Sequence, residues 1–77
     1  MKIRDGVIKC LQKIKGEYFD QEDELISGGW IDSFELIKLI KELDAEFEIK
    51  IKPADVIPDQ FDSVQQICEL IELYFGK

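Results

Sequence analysis

The sequence predicts an all-α fold: a small four-helix bundle of three main helices and one short helix, with a long loop between helices one and two. Three observations predict it. At 77 residues the chain is the length of one small domain, residues 1–77. Apolar residues recur at helical spacing in three separate stretches. Strand-like alternation is confined to Ile49-Lys50-Ile51-Lys52, and four residues without a partner strand make a poor sheet.

The elements follow in order. Ile3, Val7, Ile8, Leu11 and Ile14 share one helical face, and Gly16 follows where a helix C-terminus favours glycine, so helix one covers about residues 2–15. Residues 17–32 have no sustained period. They hold an acidic cluster (Asp20, Glu22, Asp23, Glu24), the apolar pair Leu25 and Ile26, and then Ser27-Gly28-Gly29. Loops this long in compact domains tend to be functional, and Leu25 and Ile26 pin the middle of this one to the core. Helix two runs from about Ser33 to Glu48, with Leu36, Leu39, Ile40, Leu43 and Phe47 on its core side. Asp32 is its N-cap, and Glu35 completes a capping box. Residues 49–52 form an extended link. Pro53 opens a short third helix over residues 53–57, closed by Pro58. Asp62 caps the last helix, with Gln65 three residues on. Its stripe is Val64, Ile67, Cys68, Ile71 and Phe75, and Gly76 ends it.

Composition narrows the function. A domain this small buries roughly 60% of its unfolded surface, enough for a modest core but hardly for a deep catalytic cavity. Seventeen acidic residues against ten basic ones, a net charge of −7, argue against nucleic-acid binding. That charge steers the protein toward basic partner surfaces, or simply keeps it soluble and monomeric. There is no histidine, which removes histidine-based catalysis, and Cys10 and Cys68 stand far apart among apolar residues, as buried reduced thiols do. No apolar run approaches the ~20 residues needed to span a bilayer, and no secretory signal opens the chain, so a cytoplasmic location is expected and membrane insertion is not. Asp20, Glu22 and Glu24 imitate the start of a calcium loop, but Leu25 and Ile31 stand where that loop needs glycine and glutamate. Many carboxylates without a cleft to hold a pair do not make an enzyme.

Two Asp-Ser pairs, Asp32-Ser33 and Asp62-Ser63, each open a helix, and capping accounts for both. Their surroundings differ: the first follows a long glycine-containing loop and precedes Phe34. On the helical wheel Phe34 points away from the core stripe, and Ile37 lies part-way between. Either this apolar pair is a contact surface for something else, or Phe34 folds back against the 17–32 loop. Trp30 is expected to cover the end of the bundle.

The stretch "GGWIDSFELIKLIKELDAEF" resembles the modification segment of acyl carrier proteins and of their peptidyl, aminoacyl and D-alanyl relatives. The resemblance spans nearly the whole chain, down to a last helix opened by "FDSVQQI". It implies an acyl-carrier-protein-like fold in which Ser33, preceded by Asp32, accepts 4′-phosphopantetheine covalently from coenzyme A. A separate magnesium-dependent phosphopantetheinyl transferase supplies the catalytic groups. The thiol of the arm then carries an acyl or aminoacyl thioester from a loading ligase to a downstream transferase or synthase, in fatty-acid, secondary-metabolite or D-alanylation chemistry. The protein itself is not an enzyme.

The family's second helix offers acidic residues to partners. Here Glu35, Glu42 and Glu46 cluster on one flank, and Asp44 and Glu48 on another. Lys38 and Lys41 stand near Phe34, a departure from the family pattern that argues against service in the ordinary fatty-acid synthase. Phe34, Glu35, Ile37, Lys38, Lys41 and Glu42 are therefore the candidate partner-binding residues. Intrahelical pairs (Glu35 with Lys38, Lys38 with Glu42, Lys41 with Asp44) account for the same charges, at a few tenths of a kcal/mol each. Phe34 in place of leucine points toward D-alanyl and other specialised carriers. If Phe47, Phe61 and Phe75 fill the core, a small or polar cargo stays outside it. An unmodified acidic helical adaptor that binds a partner through Phe34 and Ile37 is the alternative function.

Overall fold

A computed structural model of the chain describes residues 3–16 and 22–76. Three α-helices carry the fold: α1 (Ile3–Lys15), α2 (Ser33–Phe47) and α3 (Val64–Phe75). Two 3-10 turns, Pro53–Asp55 and Pro58–Phe61, lie between α2 and α3. Helix α1 packs against both other helices, and the second 3-10 turn packs on α3. This is the expected all-α bundle, with no strand among the described residues. Lys2 and Asp20, which the sequence assigns to helix one and to the acidic cluster, lie outside the described residues.

The core is a single cluster to which all three α-helices contribute. Val7, Cys10 and Leu11 come from α1, Leu36, Leu39, Leu43 and Phe47 from α2, and Val64, Ile67, Cys68, Leu70 and Ile71 from α3. Leu25 and Ile31 from the loop, Ile51 from the link and Phe61 from the second 3-10 turn complete it. Leu25 thus pins the loop as its apolar character requires. Both thiols are free and buried. Burial, helped by Glu46 and Glu42, pushes the Cys10 thiol up to about 11, and burial raises that of Cys68 as well.

Three expectations are corrected. The short third helix is two 3-10 turns rather than one helix closed by Pro58. Proline excludes the helical region for the residue before it, and Ile57 is accordingly extended at φ −111°, ψ 121°. Pro58 then opens the second turn, its fixed φ suiting a first position. The N-cap of α3 is Ser63, not Asp62. Asp62 ends the preceding turn in the right-handed helical region (φ −81°, ψ −12°), whereas Ser63 has the extended backbone typical of an N-cap and its side chain accepts the Gln66 N–H. Finally, Phe75 is 44% exposed and leans edge-on against Phe47, with ring centroids 5.8 Å apart, and Leu70 is buried instead.

Gly6 lets α1 approach α2. A Cβ at this position would lie 2.6 Å from Phe47 Cζ and 3.4 Å from Glu46 Cγ. Gly6→Val is therefore expected to destabilise the fold by about 1–3 kcal/mol through overpacking, despite leaving a helix without an interior glycine. Urea unfolding followed by circular dichroism measures it, and unchanged stability would show that Phe47 can swing clear.

Candidate functional site

Ser33 is the first residue of α2, and its side chain stands in solvent. The helix start is built without it. Asp32 is extended (φ −94°, ψ −176°), and its carboxylate accepts the Glu35 N–H at 2.8 Å. Glu35 returns the bond, Oε1 accepting the Asp32 N–H at 3.1 Å. The other Glu35 oxygen accepts from Lys15 Nζ at 2.9 Å, and the same ammonium lies 5.2 Å from the centre of the Trp30 ring. Lys15 and Glu35 are each only 23% exposed, so little water screens the pair. The capping box expected from sequence is thus present. It is tied to the end of α1 through Lys15 and to the loop through Trp30, which is partly buried against the core.

The loop ahead of Ser33 hangs from the start of α3. The Leu25 N–H donates to the Asp62 carbonyl at 2.8 Å, and the Val64 N–H to the Glu22 carbonyl at 2.9 Å. Asp62 Oδ1 accepts the N–H groups of Ile26 and Ser27, both at 2.8 Å, and Oδ2 accepts the Ser27 hydroxyl at 2.9 Å. Within the loop, Gly28 lies so close to the Glu24 carbonyl that a Cβ would approach it to 2.6 Å, and Gly29 has φ +80°. Each glycine thus has a local backbone reason to be there.

The two Asp-Ser pairs divide their labour in opposite ways. In the first, the aspartate caps the helix, and no hydrogen bond from the described residues engages the serine hydroxyl. In the second, Ser63 Oγ accepts the Gln66 N–H and donates to Gln66 Oε1, both at 3.1 Å, while the aspartate holds the loop. Two cap-competent residues in tandem leave one spare, and that is the sequence signal by which the loop-holding role of Asp62 could have been found.

The backbone N–H of Ser27, then that of Ile26, holds the Asp62 carboxyl below its ordinary value. Because the folded value lies below the unfolded one, the contribution of Asp62 is fully present above about pH 4 and is lost as pH falls through the lowered value. Amide exchange should show this. Protection at Ile26 and Ser27 is expected to fail on acidification before that of the α2 core amides, and to be missing at every pH in Asp62→Ala. Equal loss across loop and helix would remove the carboxylate from this role.

Along α2, the acidic flank is turned inward to α1. Glu35 pairs with Lys15, Glu42 with Lys13 at 3.4 Å and Glu46 with Lys9 at 3.7 Å. These pairs cross between helices, in place of the intrahelical pairs expected from spacing. The outward face carries Phe34, 78% exposed, and Ile37, 54% exposed, together with exposed Lys38 and Lys41. Phe34 therefore does not fold back on the described part of the loop. Two clefts flank this face. One, of about 340 Å³, is lined by Ile26, Gly29, Ile31, Asp32, Ser33, Leu36 and Pro58. The other, of about 440 Å³, runs between α2 and the link, along Ile37, Ile40, Lys41, Ile51, Pro53 and Val56.

A protein-family model described as a phosphopantetheine attachment site matches residues 11–71 of the chain. No curated protein and no solved structure matches it.

Proposed function

The chain belongs to the phosphopantetheine attachment-site family, and on that premise we propose that Ser33 is the residue that takes the arm and that the protein carries acyl or aminoacyl groups between enzymes. One observation carries the choice of serine. The Ser33 hydroxyl is exposed and outside the cap, whereas that of Ser63 is taken up in capping α3. In the loading reaction the Ser33 oxygen attacks the pantetheine-side phosphorus of coenzyme A. A serine O–P bond forms, the pyrophosphate P–O bond breaks, 3′,5′-ADP leaves, and the hydroxyl proton passes to a base on the transferase. No base from this chain is required, which suits a non-catalytic protein. The product phosphodiester lies at the N-terminus of α2, where backbone N–H groups and the helix dipole favour an anion. When attached, the arm supplies a thiol that holds cargo as a thioester.

Asp32 and Glu35 keep the helix start rigid, so that the direction in which the serine points is set by the fold. Lys15 and Trp30 hold that start from behind. Phe34 and Ile37 beside it offer apolar area to a transferase, ligase or synthase.

The test is direct. Incubation with coenzyme A, magnesium and a broad-specificity phosphopantetheinyl transferase is expected to add the mass of one phosphopantetheine. Peptide fragmentation should place it on Ser33. An unchanged mass would favour an unmodified adaptor that binds through Phe34 and Ile37.

A further inference from the structure

The net charge of −7 conceals an uneven distribution. Among the described residues, four of the basic side chains are consumed in ion pairs: Arg4 with Glu22, Lys9 with Glu46, Lys13 with Glu42 and Lys15 with Glu35. The other four, Lys38, Lys41, Lys50 and Lys52, are exposed and form no ion pair among those residues. All four lie on α2 or on the link that follows it; Lys41 lines the cleft of Ile37, Ile40, Ile51 and Val56, and Lys50 and Lys52 flank Ile51 in the chain. The acids of α2 that a basic partner would seek face α1, and Asp44 is turned to the link, its carboxylate accepting the Ile51 N–H at 3.0 Å. Glu69 and Glu72 stand in solvent on α3. A partner approaching Ser33 along α2 therefore meets exposed Phe34 and Ile37 with exposed Lys38 and Lys41 on the same helix, while the exposed carboxylates of Asp32 and Glu48 stand at its two ends.

Resting on the carrier reading above, we propose that the enzyme that docks on α2 to act at the Ser33 arm presents an apolar floor with an acidic rim. Phe34 and Ile37 enter the floor, and Lys38 and Lys41 meet rim carboxylates. Charge complementarity selects this partner. A basic rim would face two ammonium groups with no free carboxylate between them, and like charges brought together at an interface suppress docking. An anionic bilayer would attract the same lysines but repel the rest of the chain, so a protein surface is the better match.

The probe is a broad-specificity phosphopantetheinyl transferase engineered in two forms, with glutamates or lysines around its docking site. Wild-type carrier is expected to be loaded about tenfold faster by the glutamate form at low salt, a preference that shrinks as salt rises. K38E/K41E should reverse the preference, and K38Q/K41Q should abolish it. Both lysines are exposed and outside the ion pairs, so these variants are expected to keep the wild-type melting temperature. Equal loading by both forms, or faster loading by the lysine form, overturns the rim proposal and leaves the carrier reading standing. No loading by either form overturns both. Cosedimentation with phosphatidylglycerol vesicles that K38E/K41E abolishes would assign the face to a membrane and overturn it too.

Discussion

Ser33→Ala is expected to gain no mass from coenzyme A and transferase under conditions that load the wild type fully, and to melt at the wild-type temperature. Both halves follow from the way the start of α2 is built. The Ser33 oxygen is the proposed nucleophile, so its removal is all-or-none for loading. Asp32 makes the cap and Glu35 closes the box, so alanine at the first helical position costs no hydrogen bond from the described residues. Ser63→Ala is the control with the opposite profile. It should load like the wild type, but it loses the bond to the Gln66 N–H, and an N-cap is worth about 1 kcal/mol. In a domain of this size that lowers the melting temperature by about 4–8 °C. Intact mass and thermal melting of the two variants together give a crossed pattern. Loading that persists in Ser33→Ala and vanishes in Ser63→Ala would move the site to the second pair.

The largest effect on stability is expected at Phe61. It is the bulkiest of the fully buried side chains, and it stands at the end of the second 3-10 turn, packed on α3. Phe→Ala in a core costs about 3–5 kcal/mol. At about 0.05–0.15 kcal/mol per residue, the whole domain has only about 4–12 kcal/mol to lose. Phe61→Ala should therefore leave a substantial unfolded population without denaturant, read as lost helical circular dichroism and a urea midpoint cut by a third or more. Asp62 and Val64, which hold the loop, follow immediately in the chain, so amide protection at Leu25, Ile26 and Ser27 should fall with it. A loss below about 1.5 kcal/mol would mean that neighbouring side chains close the space.

Much of this was legible before any coordinates. Helices α1 and α2 begin and end within a residue of expectation, because an amphipathic stripe, a capping box and a terminal glycine are local signals. Ser33 stood out from its local surroundings too, a long glycine-containing loop before it and Phe34 after it. What escaped depends on neighbours distant in sequence. Whether Asp62 or Ser63 caps α3 is decided by the backbone that Pro58 sets up ahead of them. The partners of Glu35, Glu42 and Glu46 depend on how α1 lies across α2, which spacing within one helix does not reveal. Phe75 has the right helical phase for burial, yet it lies in the last turn of α3 and is covered only in part, edge-on by Phe47.

Trp30 is the only tryptophan in the chain, and it sits where α1, the loop and the start of α2 converge, with the Lys15 ammonium near its ring. Indole emission responds to nearby charge and to wetting. Unlabelled protein therefore contains its own optical gauge at this junction, free of overlapping signals from other indoles. Docking or arm attachment that disturbs the junction registers there as a change of colour or intensity, in real time and without an added dye.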